Sequence, residues 1–226
     1  MNITLYKVLD HNGKPMHGGS GCYPLPTADK PGKWMSPIKP LVSCHSGYHV
    51  CRGAEHLIHW LGPVIWGVET CGKVVEADNK VVCEQVRLVA RVDTWNDRTA
   101  RLFAADCAEH VLPLFEQQCP GDMRPRKAVE AARAYAREEI NKMALAAARA
   151  AGDVAAADAA RAAANAADAA WTAGNAAAWA AAAAADAAWA VARAAAAAAS
   201  AARVAERKWQ AERLRYYLSG KIMIDV

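Results

Sequence analysis

The chain has only two phenylalanines, no CxxC pair, no Gly-Lys-Ser/Thr phosphate loop and no half dominated by one sign of charge. Each absence closes a route. With so little phenylalanine, the eight tryptophans and six tyrosines must carry much of any core. Alanine supplies most of the 54% apolar residues, and it buries little area at about 25 cal/mol per Å². The seven cysteines are odd in number and irregularly spaced, which matches no standard zinc signature and points to a reduced chain. The glycine run HGGSGCYPLP, His17 to Pro26, is neither GxGxxG nor a phosphate loop, and its prolines make it an irregular surface loop. The net charge of +4 falls about equally on the two sides of Trp95, so nucleic acid is not the partner the balance suggests. The first residues, MNITLYKVLDHNG, lack the charged-then-apolar pattern of a secretory leader. We therefore expect a cytoplasmic protein.

What is present is alanine. From about Arg124 to Ser200 it is interrupted by single Trp, Asp, Arg and Asn residues. Alanine is the best helix former because its side chain loses no rotamer entropy, and methyl contacts let helices approach closely. Asp158, Arg161, Asp168, Asp186 and Arg193 lie in the tract. Each would cost about 2.5–3.5 kcal/mol at a bilayer centre, so a membrane span is not expected. The fold class expected is α+β: a small N-terminal mixed sheet module over residues 1–95, then an Ala-rich antiparallel helical bundle over 96–226.

In the front module, LYKVL (Leu5 to Leu9) alternates as a strand and HNGK follows as a turn. Gly13 to Pro40 reads as a long loop anchored by Trp34. PLVSCHSGYHV, VIWGVETC and KVVCEQVRLVARV read as strands, with AEHLIHWL as a short helix. Asn96 or Asp97 offers an N-cap for the helix RTARLFAADCAEHVLPLFEQQ. CPGDMRP is a turn, with Pro125 suited to the first turn of a helix that runs to Gly152-Asp153. Gly174-Asn175 is a second expected break. Trp171 and Trp189 are expected to fill a seam between two helices. The stretch from Asn175 to Ser219, about 65 Å if continuous, should bend near Ser200. IMIDV is a short apolar tail.

The densest polar cluster is CHSGYHVCRGAEHLIHW, Cys44 to Trp60. If Ser43 to Cys51 is extended, His49 and Cys51 share a face about 7 Å apart, while His56 and His59 share a face of the short helix. A site from His49, Cys51 and one helical histidine would offer the donors zinc takes. Packing is the reading preferred, and no metal or cofactor is assigned. Cys44 or Cys51 beside a histidine gives a thiolate pair only in principle. The stripe RVAERKWQAERLRYYL mixes cations with aromatics, but Glu206 and Glu212 dilute it and its cations suit a helix C-terminus. Arg124, Arg126 and Arg133 lie near a helix start and are expected to pair with Asp122 and Glu130.

The run CAEHVLPLFEQQCPGDMRPRKAVEAARAYAREE, followed by Ala-rich helices, resembles the immunity-protein family of bacterial polymorphic toxin systems. At Glu138 this chain carries glutamate where that family usually has glycine. The resemblance covers about Asp97 to Gly220 and implies an all-helical part with a protein partner. In front, KPGKWM, CHSGYHVC, WLGPVIWGVET and DNKVV resemble an uncharacterised domain of actinobacterial and phage proteins. GYHV, a helix and then WGVET are similar in order to the core of ADP-ribosyltransferase-like domains. That similarity implies nucleotide-binding roles for Tyr48, His49 and Glu69, although the first strand offers Tyr6 and Lys7 where a His or Arg is expected. The reading adopted is a non-enzymatic factor, immunity-like or a phage counter-defence protein, that occludes a bacterial protein such as a toxin or defence component. Trp34, Tyr48, Arg52, Arg124 and Arg126 are its candidate binding residues. A nucleotide-using enzyme with its site in the front module is the alternative, and a homo-oligomer is left open.

Overall fold

A computed structural model of the chain describes residues 5–162 and 200–220. The Trp171/Trp189 seam, the Gly174-Asn175 break and the IMIDV tail lie outside the described residues, as does the stretch before Ser200. The fold class is α+β. Two compact units form, one of Met1–Trp95 with Leu214–Val226 and one of Asn96–Arg213. Among the described residues no helix is long and apolar enough to cross a membrane.

The β unit contains β1 (Leu5–Leu9), β2 (Tyr48–Arg52), α1 (Gly53–Leu57), β3 (Val64–Ala77) and β4 (Lys80–Arg91). The strands close a small barrel in the order β1-β2-β4-β3, and every pairing is antiparallel, in place of the mixed sheet expected. Alternation builds its interior. Leu9, Val50, Val68, Val81, Cys83, Val86 and Leu88 are buried together with Tyr23, because one side of each pleat faces inward.

β3 runs further than VIWGVETC suggests. The register shifts between Cys71 and Val74, where Gly72 takes φ +78°. A Cβ there would lie 2.7 Å from a Glu84 carboxylate oxygen. A glycine bulge of this kind bends the strand without ending it.

Two other expectations are corrected. PLVSCHSGYHV is not one strand: Val42 and Ser46 exchange backbone hydrogen bonds of 2.8 Å around a turn, with Cys44 at φ +64°. Only Tyr48 onward is extended. The long loop is anchored by Tyr23, 4% exposed, and not by Trp34, 39% exposed. The loop follows β4 through Gly32 N–H to Leu88 O, Met35 N–H to Val86 O and Ile38 N–H to Glu84 O, at 2.8–3.0 Å. These bonds satisfy the strand edge that β2, being short, leaves open.

The helical unit holds α2 (Asp97–Gln118), α3 (Arg124–Ala136), α4 (Lys142–Ala162) and most of α5 (Ser200–Leu218). Asn96 caps α2: its side chain accepts from the Arg98 and Thr99 N–H groups, and the Thr99 hydroxyl accepts from the Asn96 N–H, a capping box. α3 packs against both α2 and α4. Their shared core is Ala104, Ala105, Ala108, Ala128 and Ala132 around Val111, Leu112, Val129 and Leu145. Small side chains here do what the alanine content promises, since methyl groups permit close helix contact.

The break between α3 and α4 comes before Gly152, which lies inside α4. Glu138 sits at φ +64°. Its N–H donates to Tyr135 O at 3.0 Å, and Glu139 N–H donates to Ala134 O at 2.9 Å, the paired bonds of a Schellman helix end. Asn141 then opens α4 by accepting from Ala144 N–H at 2.9 Å. This left-handed position is where glycine is favoured, because a Cβ there costs about 1–2 kcal/mol. Replacing Glu138 by glycine is therefore expected to stabilise the chain by about 1 kcal/mol, seen as a higher midpoint in thermal denaturation. An unchanged or lower midpoint would refute the assignment of strain to this residue.

Candidate functional site

A cleft of about 340 Å³ opens on the β unit. β1 brings Tyr6 and Lys7, the loop after it His17, the turn before β2 Cys44 and His45, β2 itself His49 and Cys51, and β4 Lys80. Antiparallel pairing of Tyr6 with Cys51 and of His49 with Val82 sets these strands side by side. The close turn before β2 depends on Gly47, at φ +114°, where a Cβ would lie 2.6 Å from Val82 Cγ1.

The polar groups of the cleft are interlocked. Lys7 Nζ donates to the His49 carbonyl at 2.8 Å and lies 5.2 Å from the centre of the Tyr23 ring. Lys80 Nζ donates to Cys44 Sγ at 3.0 Å and stands over Trp60 at 4.6 Å. His49 Nε2 accepts from the Cys44 N–H at 3.0 Å, which places its proton on Nδ1. His17 Nε2 donates to the Trp60 carbonyl at 2.9 Å. Burial lowers the affinity of His49 for a second proton, and the Lys7 and Lys80 charges add to the effect. The Cys44 thiol is drawn down from its usual value by the Lys80 and Ser43 hydrogen bonds, whereas burial pushes Cys51 up to about 12.

Lys7 is the costly member. Burial lowers its pKa to about 8, against the opposing influence of the Cys51 and Cys83 thiols. A lysine depressed in the folded state is destabilising when protonated. The cost is fully present below about 8 and is relieved as pH rises from there toward the unfolded value of 10.5. The shift corresponds to about 3 kcal/mol, less about 1 kcal/mol for the hydrogen bond to His49 O. Lys7→Met is thus expected to stabilise the protein at neutral pH by about 2 kcal/mol. That gain should shrink between pH 8 and 10.5 in urea titrations, and a gain independent of pH would contradict this account.

The other candidate residues are dispersed. Of Tyr48, His49 and Glu69, only His49 lines the cleft. The Tyr48 hydroxyl donates to Ser36 O at 2.8 Å, and Glu69 accepts from Arg87 Nε at 2.7 Å. His56 Nδ1 accepts from the Arg52 N–H at 3.1 Å, and the His59 N–H bonds back to His56 O. Among the described residues no three His, Cys, Asp or Glu side chains gather as metal ligands around His49, Cys51, His56 or His59.

Trp34 carries the Arg87 guanidinium 4.7 Å from its ring centre. Arg52 pairs with Glu76, Arg124 with Asp122 at 2.7 Å, and Arg126 with Glu116 at 2.7 Å. Glu130 forms none of these pairs. Arg133 instead reaches Asp106 at 2.8 Å and also Glu109, because one face of α3 lies on α2. Part of the aromatic-basic stripe of α5 is occupied internally, while Arg207 and Lys208 are exposed. Trp209 stacks on His110 with ring centres 3.8 Å apart, Arg213 meets Asp106 at 2.6 Å, Arg215 meets Glu55, and Tyr217 is buried.

The chain is thus an α+β protein whose helical unit is closed by internal ion pairs and whose β unit carries a basic cleft. Residues 91–216 match the family described as Imm-5 like putative immunity protein. The match spans more than half of the chain, which therefore belongs to this family. No curated protein and no solved structure matches. Tyr48, Glu69 and the cleft lie in front of the matched residues.

Proposed function

We propose that this chain is an immunity-type factor of the cytoplasm that binds a bacterial protein toxin and occludes it without catalysing a reaction. The membership of residues 91–216 in an immunity-protein family carries this reading. The separation of Tyr48 and Glu69 from the His49 cleft supports a binding role over a nucleotide-using enzyme. Trp34 is the best anchor among the candidates. It is exposed, aromatic and covered by an arginine, and binding energy concentrates in tryptophan, tyrosine and arginine. Arg124 and Arg126 are engaged by their own acids and act mainly on the fold.

The test is co-expression with any toxin domain encoded in a reading frame adjoining this gene, together with calorimetry of the purified pair. Growth should be restored. Trp34→Ala should weaken binding about ten-fold or more, while Arg124→Ala should lower stability with little change in affinity. If a molar excess of the protein leaves the toxin fully active, the proposal fails.

A further inference from the structure

We propose that the cleft of the β unit binds a small phosphate ester, its dianionic phosphate held between the Lys7 and Lys80 ammonium groups. The proposal is independent of toxin binding, because the cleft lies in residues 6–80 and the family match begins at residue 91.

Charge carries the argument. Among the described residues the lining includes two lysines and the histidines 17, 45 and 49, and no aspartate or glutamate. Three other cations of the β unit are paired with acids: Lys39 with Glu84, Arg52 with Glu76 and Arg87 with Glu69. Lys7 and Lys80 instead face a carbonyl, a thiol and the rings of Tyr23 and Trp60. A concave, low-dielectric wall with one sign of charge concentrates counter-ions. The Lys7 ammonium is moreover part-buried at a cost to stability, which an anion in the cleft would offset. Both lysines act on the same neighbours, since the charges of each are felt at His49 and at Cys51.

The kind of anion follows from the donors. Among the described residues no arginine lines the cleft, so the planar fork that matches a carboxylate is missing there, whereas lysine serves phosphate as a point charge. An ammonium has three donors. Lys80 uses one on Cys44 and Lys7 one on His49 O, which leaves donors for phosphate oxygens. A phosphate monoester is close to a dianion at neutral pH and balances two ammonium charges. A volume of about 340 Å³ is at the small end of ligand clefts and suits a sugar phosphate or a mononucleotide.

The experiment titrates the full chain with ribose 5-phosphate, AMP and inorganic phosphate by calorimetry, at about pH 7.5 and low salt, up to about 10 mM. Binding of at least one ester is expected. Lys80→Gln and Lys7→Met should each weaken it about ten-fold, and Lys80→Arg should restore part of the affinity. In parallel, the bound ester should slow alkylation of Cys44 by iodoacetamide, because phosphate draws on the same Lys80 ammonium that stabilises the thiolate. Lys80→Gln should be alkylated slowly with or without ester. Equal binding of inorganic phosphate and the esters would assign the site to phosphate alone. Absence of binding by the wild type would overturn the proposal, and so would unchanged affinity in the folded Lys7→Met/Lys80→Gln variant. Neither result would bear on toxin neutralisation.

Discussion

Replacing Arg133 and Arg213 together by methionine is expected to destabilise the helical unit by about 3–5 kcal/mol. Asp106 is 4% exposed at its side chain, with one carboxylate oxygen 2.8 Å from Arg133 and the other 2.6 Å from Arg213. The double change leaves the carboxylate buried with both of these charges gone. Removing the acid is the milder operation. The guanidiniums are 26% and 37% exposed, so in Asp106→Ala they can turn toward water, and the loss should be nearer 2 kcal/mol. Adding Asp106→Leu to the double variant should recover most of the stability, since an apolar replacement of a whole buried ion cluster is often neutral. Urea titrations followed by helical circular dichroism read all three. If the double variant were no weaker than Asp106→Ala, burial of the carboxylate would not be the controlling cost.

Trp95→Ala is the second large loss, about 3–5 kcal/mol. Trp95 is fully buried, and its indole N–H donates to the Gly62 carbonyl at 2.8 Å. Truncation opens a cavity the size of an indole and strips that carbonyl of its donor. Trp95→Phe should retain roughly half of the lost stability, because it refills part of the volume without restoring the hydrogen bond. A chain with two phenylalanines has few other large side chains to spare. Denaturation midpoints close to wild type for Trp95→Ala would show that the neighbouring residues collapse into the space.

Local chemistry was readable where it was complete within a few residues. LYKVL alternates and forms β1, and Asn96 followed by Thr99 is a cap whose two hydrogen bonds close within one turn. The end of α3 was not readable from Gly152, because the chain stops the helix with a glutamate in the left-handed region and tolerates glycine inside α4. The run VIWGVETC stops short of the end of β3 for a related reason: Gly72 bends the strand, and only the pairing with β4 reveals that it continues. The cleft was legible in part. His49 and Cys51 stand out in the sequence, but Lys80 meets Cys44 across 36 residues and Lys7 meets His49 O across 42, separations that no local pattern reports.

By itself the sequence determined an α+β chain with a strand-rich front and an alanine helical half, because periodicity and helix propensity act over a few residues at a time. Tertiary structure alone decided which charges are neutralised. Arg133 and Arg213 converge on one buried aspartate, while Lys7 and Lys80 meet no carboxylate among the described residues. Electrostatic energy depends on distance through space and on burial, and both are fixed only when strands and helices far apart in the chain come into register.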